Sequence, residues 1–484
     1  NILKGDKILN QVHSEIKSWL EANKEQIISD IIEALKINSE SNNRAEAKKS
    51  LKQVLDVAQK LGFRSELRAE DQVGVVFFGE GTETLGILTH ADIVPVGDPK
   101  LWFYSPYGEF NEGKIYGRGA VDNKGMVISS LYAMAAVKAL NMPVYKKLEL
   151  IIGTREEIVW DDIYLYKEEG HPLPDYGFTP DGEFPITNRE KGNCEIHMIF
   201  RGGDCPGEFE VPDIKSGEVI NSVPGKAIAR VRGNIEEIKA MVMEFNRTAP
   251  EAGLELEQIC TEEATIAATG KTAHSSMPEQ GINAMTFMCL FLSRLKVKNA
   301  ALEEYVKFVA DHFNDNYYGS SLGLPDHPEF LNGEEMGKTT AVPTMVYVDD
   351  GIHLLMSIRT VYGTTREEIA DAFDRLSSKY GFSYTFVDYL DPLYVSKEHK
   401  FIELLSRTYE EVTKEKAELI LTGGTTYAKA LPGSVAFGPV FPKDDDMCHQ
   451  TDEYISVDKL MKATEIYALV IARVLLDKES FLRG

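Results

Sequence analysis

Two histidines and several acidic residues lie where apolar stretches, typical of buried strands, come to an end or where a helix begins. They are His90, Asp92, Asp122, Glu156, Glu157, Asp181 and His449. Imidazole nitrogens and carboxylate oxygens without thiolates are typical ligands of catalytic zinc and manganese sites. A pair of such ions lowers the pKa of a bridging water and polarises a carbonyl, while a carboxylate that is not a ligand can carry the proton to a leaving amine. The set therefore favours amide hydrolysis.

The stretch of residues 86–92 shows how the sequence positions such side chains. Residues 86–89 predict the end of a buried strand, and His90 follows directly. Side chains at the C-terminal end of a strand open into the crevice in which α/β enzymes bind ligands. Asp92 could accept the second ring N–H of His90 and so fix its tautomer. A single His-x-Asp is more often a surface or core feature. Whether His90 and Asp92 belong to a functional site therefore depends on the other motifs.

Each of the other acidic motifs has a structural alternative. Asp122 lies in the glycine-rich run 117–125, which does not match a dinucleotide-binding fingerprint and could simply supply a helix N-cap. Glu156 and Glu157 come after the strand predicted at 148–153; a metal would relieve their repulsion, but a helix dipole would also favour them. Asp181, in a Pro-Asp-Gly sequence, is typical of a turn.

The composition is that of a globular protein with an acidic surface. The chain has 484 residues, enough for two domains, and a formal charge of −24, which argues against nucleic acid or an anionic membrane as partner. Five scattered cysteines without a CxxC pair indicate a reducing, cytoplasmic location. The polar N-terminal residues are not typical of a signal peptide, and no apolar run approaches the length of a membrane span.

The order of helical and strand patterns predicts an α/β protein with an insertion. Helices at 16–32 and 45–61 precede strands at 73–78 and before His90, which predicts a mixed, mostly parallel sheet sandwiched by helices. From about residue 195, short strands alternate with helices in an α+β pattern. We therefore predict a catalytic domain formed by residues 1–194 and 391–484, with an inserted domain at 195–390.

Two residues of the inserted domain and one glycine loop beyond it stand out. His274 lies in the Gly/Ser-containing run 270–276, where a histidine is most often merely exposed. Arg359 ends a predicted strand, where an arginine most often forms a surface ion pair. A strand at 419–422 runs into Gly423 and Gly424 and then a predicted helix, an arrangement suited to binding an anion.

Together the motifs resemble those of the M20 family of metallopeptidases, most closely its bacterial PepV-type dipeptidase branch. The matching stretches are residues 89–92, 117–125, 153–157, 180–181, 270–276 with Pro278, 423–425 and His449. The resemblance implies a zinc-peptidase-like catalytic domain with an inserted lid. It also implies two divalent ions, with Zn²⁺ expected first and Mn²⁺ or Co²⁺ as alternatives.

The resemblance implies a role for each site residue. The metal ligands would be His90, Asp122, Glu157, Asp181 and His449, and the carboxylate of Asp122 would bridge the two ions. The peptide bond between Asp122 and Asn123 would be cis. Glu156 would be the general acid/base, and Asp92 would orient His90. His274 would stabilise the oxyanion, while the substrate carboxylate would be bound by Arg359, Asn221, Gly423 and Gly424. The branch pattern His-Ala-x-Asn-Glu reads His-Gln-Thr-Asp-Glu at 449–453, so the pocket on that side is expected to differ.

The function predicted first is hydrolysis of unblocked dipeptides. A deacylase of N-acyl amino acids would keep the metal ligands without needing to recognise a free amine. A non-catalytic binding protein on the same fold would be expected to have lost ligands, and none is lost here. The predicted insertion is about twice the length that the resemblance implies for dimeric relatives. The chain is therefore predicted to be a monomer in which His274 acts within its own chain, with a small peptide as its partner.

Overall fold

The computed structural model describes residues 2–325 and 327–482 of the chain. Within them the chain forms two compact units. Unit 1 consists of the described residues within Asn1–Arg189, Tyr394–Ile420 and Thr426–Gly484, and unit 2 of those within Glu190–Leu393 and Leu421–Thr425. The sequence predicts the insertion at 195–390; unit 2 begins a few residues earlier, ends slightly later and also takes in the segment at 421–425.

The helices and strands follow one another in three blocks. The first part of unit 1 contains α1 (Ile2–Leu35), α2 (Arg44–Lys60), β1 (Arg64–Arg68), β2 (Val73–Phe78), β3 (Thr84–His90), β4 (Glu109–Asn111), β5 (Lys114–Tyr116), α3 (Lys124–Ala139), β6 (Lys147–Gly153), α4 (Asp161–Glu168), β7 (Tyr176–Thr179), β8 (Gly182–Glu183) and β9 (Ile186–Glu190). Unit 2 contains β10 (Gly192–Phe200), β11 (Glu210–Ser216), β12 (Ser222–Val223), β13 (Lys226–Arg232), α5 (Ile235–Thr248), β14 (Glu255–Cys260), β15 (Glu263–Thr269), β16 (Ala273–His274), α6 (Ala284–Leu292), α7 (Ala300–Phe313), β17 (Phe330–Leu331), β18 (Glu334–Glu335), β19 (Thr340–Val348), β20 (Ile352–Thr360), α8 (Arg366–Tyr380) and β21 (Phe382–Leu390). The last block contains β22 (Leu393–Tyr394), α9 (Lys400–Thr413), β23 (Leu419–Thr422), β24 (Ser434–Ala436), β25 (Pro439–Val440), β26 (Tyr454–Ser456) and α10 (Val457–Leu475).

The main sheet of unit 1 is parallel at its centre and antiparallel towards its edges. Its strand order is β1-β2-β6-β3-β7-β24-β9-β22, with β23 beside β9. The pairs β6–β3, β3–β7 and β7–β24 are parallel, whereas β1–β2, β2–β6 and β24–β9 are antiparallel. This mixed sheet, with helices packed on it, confirms the predicted fold class.

Helix α3 lies at the centre of unit 1. Apart from Lys124 and Lys138, its residues are small or mostly apolar on all sides, and most residues of the helix are buried, as expected for a helix that is apolar nearly all round. It packs against α1 and α10 and onto β3. Its N-terminus therefore lies close to the end of β3, where His90 is found.

Unit 2 contains a sheet of order β14-β15-β13-β11-β19-β20-β10-β21, in which the described neighbours are antiparallel. Strand β13 alternates buried and exposed residues, so one face of the sheet is apolar. Helices α5, α6, α7 and α8 contribute buried residues to the same core. Unit 2 therefore has a hydrophobic core of its own.

The prediction of a helix after Thr426 is wrong. The structure has only a four-residue 3-10 turn, Tyr427–Ala430, so the expected helix N-terminus beside Gly423 and Gly424 does not form. Pro432 explains the difference, because the residue before a proline is pushed out of the helical region, and Leu431 is extended. As for membranes, each helix within residues 2–325 and 327–482 is too short or too polar to span a bilayer.

Candidate functional site

Three neighbouring parallel strands bring most of the predicted metal ligands together. Strands β6, β3 and β7 are adjacent, and His90 lies opposite Gly153 in the register. The C-terminal ends of parallel strands meet at one edge of a sheet. His90 at the end of β3, the Glu156–Glu157 turn after β6 and Asp181 after β7 therefore converge there.

Asp122 stands between two groups of possible ligands. Its Oδ1 lies 3.0 Å from His90 Nε2, which is 3.5 Å from Asp181 Oδ2. Its Oδ2 lies 3.0 Å from His449 Nε2, which is 3.1 Å from Glu157 Oε2. The structure thus contains two His–carboxylate groups that share Asp122. The Asp122–Asn123 peptide is cis, which confirms that prediction.

The carboxylates of this cluster are buried close together, so a nearby positive charge would stabilise their ionised forms. Burial, together with repulsion from neighbouring carboxylates, raises the pKa of Glu156 well above its ordinary value, raises that of Glu157 to about 7, and raises that of Asp181. Oε1 of Glu157 is buried and, within the described part of the chain, has no hydrogen-bond partner. An orphaned oxygen on a carboxylate whose other oxygen lies 3.1 Å from His449 Nε2 fits a site for divalent cations.

The carboxylates around His90 and His449 raise the pKa of both histidines. Burial acts to lower the pKa of His90, but the carboxylates of Asp122, Asp181 and Asp92 raise it well above its ordinary value. Hydrogen bonds to Asp122 and Glu157 raise the pKa of His449 to about 11. Each histidine thus faces acceptors through the nitrogen that would bind a metal, and a divalent ion would take the place of that proton.

Asp92 has more contacts than the sequence indicates. His90 Nδ1 lies 3.1 Å from the backbone oxygen of Asp92 and 3.3 Å from its Oδ1, which is consistent with an orienting role. The carboxylate of Asp92 also accepts hydrogen bonds from the hydroxyl of Ser41 at 2.6 Å and from the backbone N–H groups of Glu156 and Glu157 at 3.3 Å each. Asp92 therefore connects the His90 strand to the turn with the acidic pair.

A buried ion pair that sequence reasoning missed holds the loops of Asp122 and His449. Glu453 is fully buried; its Oε1 accepts the N–H groups of Gly119, Val121 and Asp122 at 3.0–3.2 Å. Its Oε2 accepts from Arg118 Nη1 at 2.7 Å, and Arg118 also donates to the carbonyl of His449 at 3.3 Å. The glutamate that ends the 449–453 run is the one signal in the sequence that could have pointed to this pair.

The two residues that follow Asp122 also hold neighbouring segments of the site in place. The side chain of Asn123 accepts the N–H of His90 at 3.4 Å and donates to the carbonyl of Pro180 at 2.8 Å, so it bridges the ends of β3 and β7. Lys124 is fully buried and donates to the carbonyls of Ala34 and Ile37 at the end of α1. Burial lowers the pKa of Lys124 to about 7.

In unit 2, the residues predicted to contact substrate form a second cluster. His274 pairs with Ser222 across β16 and β12, and the N–H of Ser275 donates to the carbonyl of Asn221 at 2.9 Å. The hydroxyl of Thr340 on β19 donates to the carbonyl of Ser275 at 2.9 Å. The loop with His274 is therefore held against the large sheet of unit 2, beside Asn221.

Arg359, near the end of β20, is 6% exposed. Its Nη1 donates to the carbonyl of Gly423 over 3.5 Å, and within the described residues its Nε has no hydrogen-bond partner. A Cβ at Gly423 would lie 2.2 Å from Cβ of Ser276, so only glycine allows this approach. Gly424 makes its described contact within the loop, to Thr422 Oγ1 at 3.1 Å, and not to Arg359.

The chain is similar to known peptidases over most of its length. The family described as Peptidase family M20/M25/M40 matches residues 86–473. The chain is 33% identical over 468 residues, 93% of its own length and 97% of the relative, to YtjP of Bacillus subtilis (strain 168), which carries a provisional dipeptidase name. It is 30% identical over 482 residues, 96% and 99% of the two chains, to the Beta-Ala-Xaa dipeptidase of Lactobacillus delbrueckii subsp. lactis.

Among solved structures, the dipeptidase Dug1p from Saccharomyces cerevisiae is similar with a TM-score of 0.60. The match covers 96% of this chain and 99% of that chain at 13% identity. At that identity the likeness concerns the fold alone.

Proposed function

The chain belongs to peptidase family M20/M25/M40, and we propose that it is a two-metal dipeptidase that hydrolyses dipeptides with a free amine and a free carboxylate. At the level of the family, it is a metal-dependent peptidase with dipeptidase relatives. The observation that carries the finer proposal is the shared carboxylate of Asp122, with one oxygen beside His90 and the other beside His449.

The residues that would hold the ions are His90 and Asp181 for one, His449 and Glu157 for the other, and Asp122 for both. Nitrogen and oxygen donors without thiolate suit Zn²⁺ first and Mn²⁺ or Co²⁺ next. Divalent ions bound there supply Lewis acidity, which makes a water acidic and a peptide carbonyl electrophilic. The orphaned Oε1 of Glu157 supports this assignment.

Glu156 is proposed as the general base and acid. Its carboxylate is half-buried and makes no ion pair or hydrogen bond with the described residues, so it is free to take a proton. Burial and the nearby Asp181 raise its pKa well above the ordinary value, which suits a group that must both accept and release a proton near neutral pH. Glu156 would accept the proton of the attacking water and deliver it to the leaving amine.

Arg359 is proposed to bind the free carboxylate of the substrate. Arg359 is 6% exposed and makes one long hydrogen bond to the described residues, so its guanidinium is costly to bury unless an anion completes its contacts. The planar fork of arginine matches a carboxylate in a bidentate manner. Asn221, Gly423 and Gly424 are proposed to line the same subsite.

His274 is proposed to donate a hydrogen bond to the developing oxyanion. Its Nδ1 accepts the N–H of Ser276 at 3.2 Å and faces the hydroxyl of Ser276 at 2.7 Å. An Nδ1 that accepts leaves the proton on Nε2 in the neutral ring. The Nε2–H group can then donate to an oxyanion without any change in the charge of the ring.

The proposal is tested with purified protein and matched substrates. A panel of unblocked dipeptides, including β-alanyl dipeptides, is compared with the same compounds N-acetylated and with their C-terminal amides, before and after metal removal by a chelator. We expect turnover of unblocked dipeptides that is lost with the metal and restored by Zn²⁺, Mn²⁺ or Co²⁺. Two ions bound per chain are expected at saturation.

Other outcomes have distinct meanings. Faster turnover of the N-acetylated compounds would assign a deacylase instead, because that activity does not need a free amine. Tight binding of dipeptides without turnover in any metal form would assign a binding protein. One ion per chain at full activity would remove the two-metal part of the proposal.

A further inference from the structure

Two buried carboxylates hold the backbone of the turn that presents Glu156 and Glu157. Four successive N–H groups, those of residues 154–157, each donate to one of them. The N–H groups of Thr154 and Arg155 donate to Oδ2 of Asp162 at 2.6 and 3.1 Å. Those of the two glutamates donate to Asp92. Both aspartates are 0% exposed, so their carboxylates are shielded from water and depend on these N–H groups for hydrogen bonds.

Asp162 is itself held in place from two sides. It lies in the first turn of α4, where Oδ1 accepts the N–H of Ile163 at 2.7 Å. The hydroxyl of Tyr427 lies 2.9 Å from both carboxylate oxygens, and Tyr427 is 1% exposed. The carboxylate therefore has donors on both oxygens and a fixed orientation, although it has no cationic partner among the described residues.

Gly153 makes this arrangement possible. A Cβ at that position would lie 2.5 Å from the hydroxyl oxygen of Tyr427 and 2.8 Å from Oδ2 of Asp162. Gly153 also ends β6 directly opposite His90. The absence of a side chain at this point leaves room for the Tyr427 hydroxyl and the Asp162 carboxylate next to the start of the turn.

Trp160 adds a third contact to the same turn. Its indole Nε1 donates to the carbonyl of Glu156 at 2.7 Å, and its ring packs edge-on against Tyr427 at 5.1 Å between centroids. The backbone of Trp160 is left-handed, with φ of 54°, which is uncommon for a bulky residue. Such strain persists where the surroundings impose it, and it often marks a functional segment.

We propose that Asp162 is a positioning residue, which acts through the turn at 154–157 to set the places of Glu156 and Glu157. The inference rests on the proposed function for the role of Glu156, but not for the metal contact of Glu157. Two adjacent carboxylates repel each other, and their backbone must resist that repulsion. Groups that orient metal ligands from behind are typically worth about 10- to 100-fold in metal affinity or activity.

A purely structural role for Asp162 makes different predictions. A carboxylate in the first turn of a helix stabilises that helix through its interaction with the helix dipole. In that case Asp162→Asn would lower the melting temperature and leave metal affinity and kcat unchanged. Asp175→Asn is a matched control, because Asp175 accepts the N–H of Thr84 at 2.8 Å at the opposite end of β3.

The test compares Asp162→Asn, Tyr427→Phe and Asp175→Asn with the wild type, by titration with Zn²⁺ against a competing chelator and by steady-state kinetics on an unblocked dipeptide. For Asp162→Asn we expect one of the two ions to bind about 10- to 100-fold more weakly, and kcat at saturating Zn²⁺ to fall by about the same factor. KM should stay within about twofold. Tyr427→Phe should show the same pattern at about 3- to 10-fold, and Asp175→Asn should match the wild type.

The proposal is overturned if Asp162→Asn folds and its affinity for both ions and its kcat are within about twofold of those of Asp175→Asn. If Asp162→Asn does not fold, Tyr427→Phe decides in the same way. The Zn²⁺ titration needs no substrate, so it separates this proposal from the proposed function. Weakened Zn²⁺ binding in a protein that never hydrolyses dipeptides would keep the positioning role and refute only the activity.

Discussion

Asp122 is the residue on which the candidate chemistry depends, because its two oxygens face two different histidines. Around it, burial raises the pKa of Glu157 to about 7 and raises those of Glu156 and Asp181. Most of these carboxylates have a histidine nitrogen in contact, whereas Glu156 has none among the described residues. This difference separates a residue that can hold a metal from one that can move a proton, and single substitutions can test it.

Replacing Glu156 should separate catalysis from metal binding. We expect Glu156→Ala to lower kcat by about 10²- to 10⁴-fold, because a general base is removed. Bound metal, measured by atomic emission after gel filtration, should remain close to the wild-type amount. Glu157→Ala is the matched comparison and should lose metal, because Glu157 Oε2 lies 3.1 Å from His449 Nε2. Equal loss of metal in both variants would contradict the assignment.

His274 should remain neutral across the physiological range. Burial and the charge of Arg359 lower its pKa to about 4, below the value of about 6.5 for an unperturbed histidine. A lowered pKa means that the neutral ring stabilises the fold above about pH 6.5, and this contribution is lost as the pH falls towards 4. In ¹⁵N-imidazole NMR spectra we expect the Nε2–H tautomer between pH 5 and 8. A titration midpoint near 6.5 would count against the proposed donor.

Arg359→Met should weaken the binding of a free carboxylate. We expect kcat/KM on an unblocked dipeptide to fall by about 10- to 100-fold, since hydrogen bonds to charged groups contribute about 1.5–3 kcal/mol. The C-terminal amide should show a similar loss with the wild type and little further loss with the variant. Arg201→Met, at a half-exposed surface arginine that pairs with Asp350, is the control. If the amide affects both enzymes equally, Arg359 does not bind the carboxylate.

At the scale of elements, the loops rather than the strands need the extra support. Strand β3 is held by its neighbours, whereas the loop before α3 and the segment at 449–453 lie outside the sheet. His449 has a left-handed backbone, with φ of 64°. Arg118 holds its carbonyl, and Glu453 holds three N–H groups of the loop before α3. One buried ion pair thus couples the two elements that present Asp122 and His449.

Replacing only one residue of the Arg118–Glu453 pair should destabilise the protein more than replacing both. Glu453→Gln leaves the Arg118 guanidinium buried without its charge partner, which typically costs about 3–5 kcal/mol. We expect a lower melting temperature and Zn²⁺ binding weakened by about 10- to 100-fold. The double variant Arg118→Met with Glu453→Gln should regain part of the stability, as measured in a double-mutant cycle of chemical unfolding. Additive effects of the two changes would contradict the coupling.

At the scale of the whole molecule, the chain forms two units with separate cores, and the candidate residues are divided between them. Unit 1 contains the predicted metal ligands and Glu156; unit 2 contains Asn221, His274, Arg359 and the glycine loop. Helix α7, which lies within the long insertion from whose length a monomer is predicted, contributes buried residues to the core of unit 2. The chain is accordingly proposed to act as a monomer.

Mixing two inactive variants tests whether one chain is complete. His274→Ala and Glu156→Ala chains are each expected to have little activity. If every chain uses its own His274 and its own Glu156, the mixture should show no more than the sum of the two. Specific activity of the wild type should also be constant on dilution, because no association is required. Activity restored by mixing would mean that His274 acts across a subunit boundary, and the monomer proposal would be wrong.

Local patterns in the sequence were sufficient for the strand-end residues. An apolar run that stops at His90, or at the turn before Glu157, predicts a buried strand and the edge at which the next residues emerge, because parallel strands share one edge. The mixed α/β class and the family could be predicted from these motifs. A helix after Thr426 was also expected, but Pro432 and the burial of Tyr427 in unit 1 produce a short turn instead.

Only the tertiary structure revealed the groups that hold the site in place. Tyr427 reaches Asp162 across 265 positions of sequence, and Glu453 reaches the N–H of Asp122 across 331. Tyr427 is a common residue type in an ordinary local pattern, and for Glu453 the only signal is its place at the end of the 449–453 run. Their roles arise because folding buries acceptors beside N–H groups that have lost their water, and such pairs are determined by packing between distant segments. The sequence therefore determined which side chains could react, and the fold decided which groups position them.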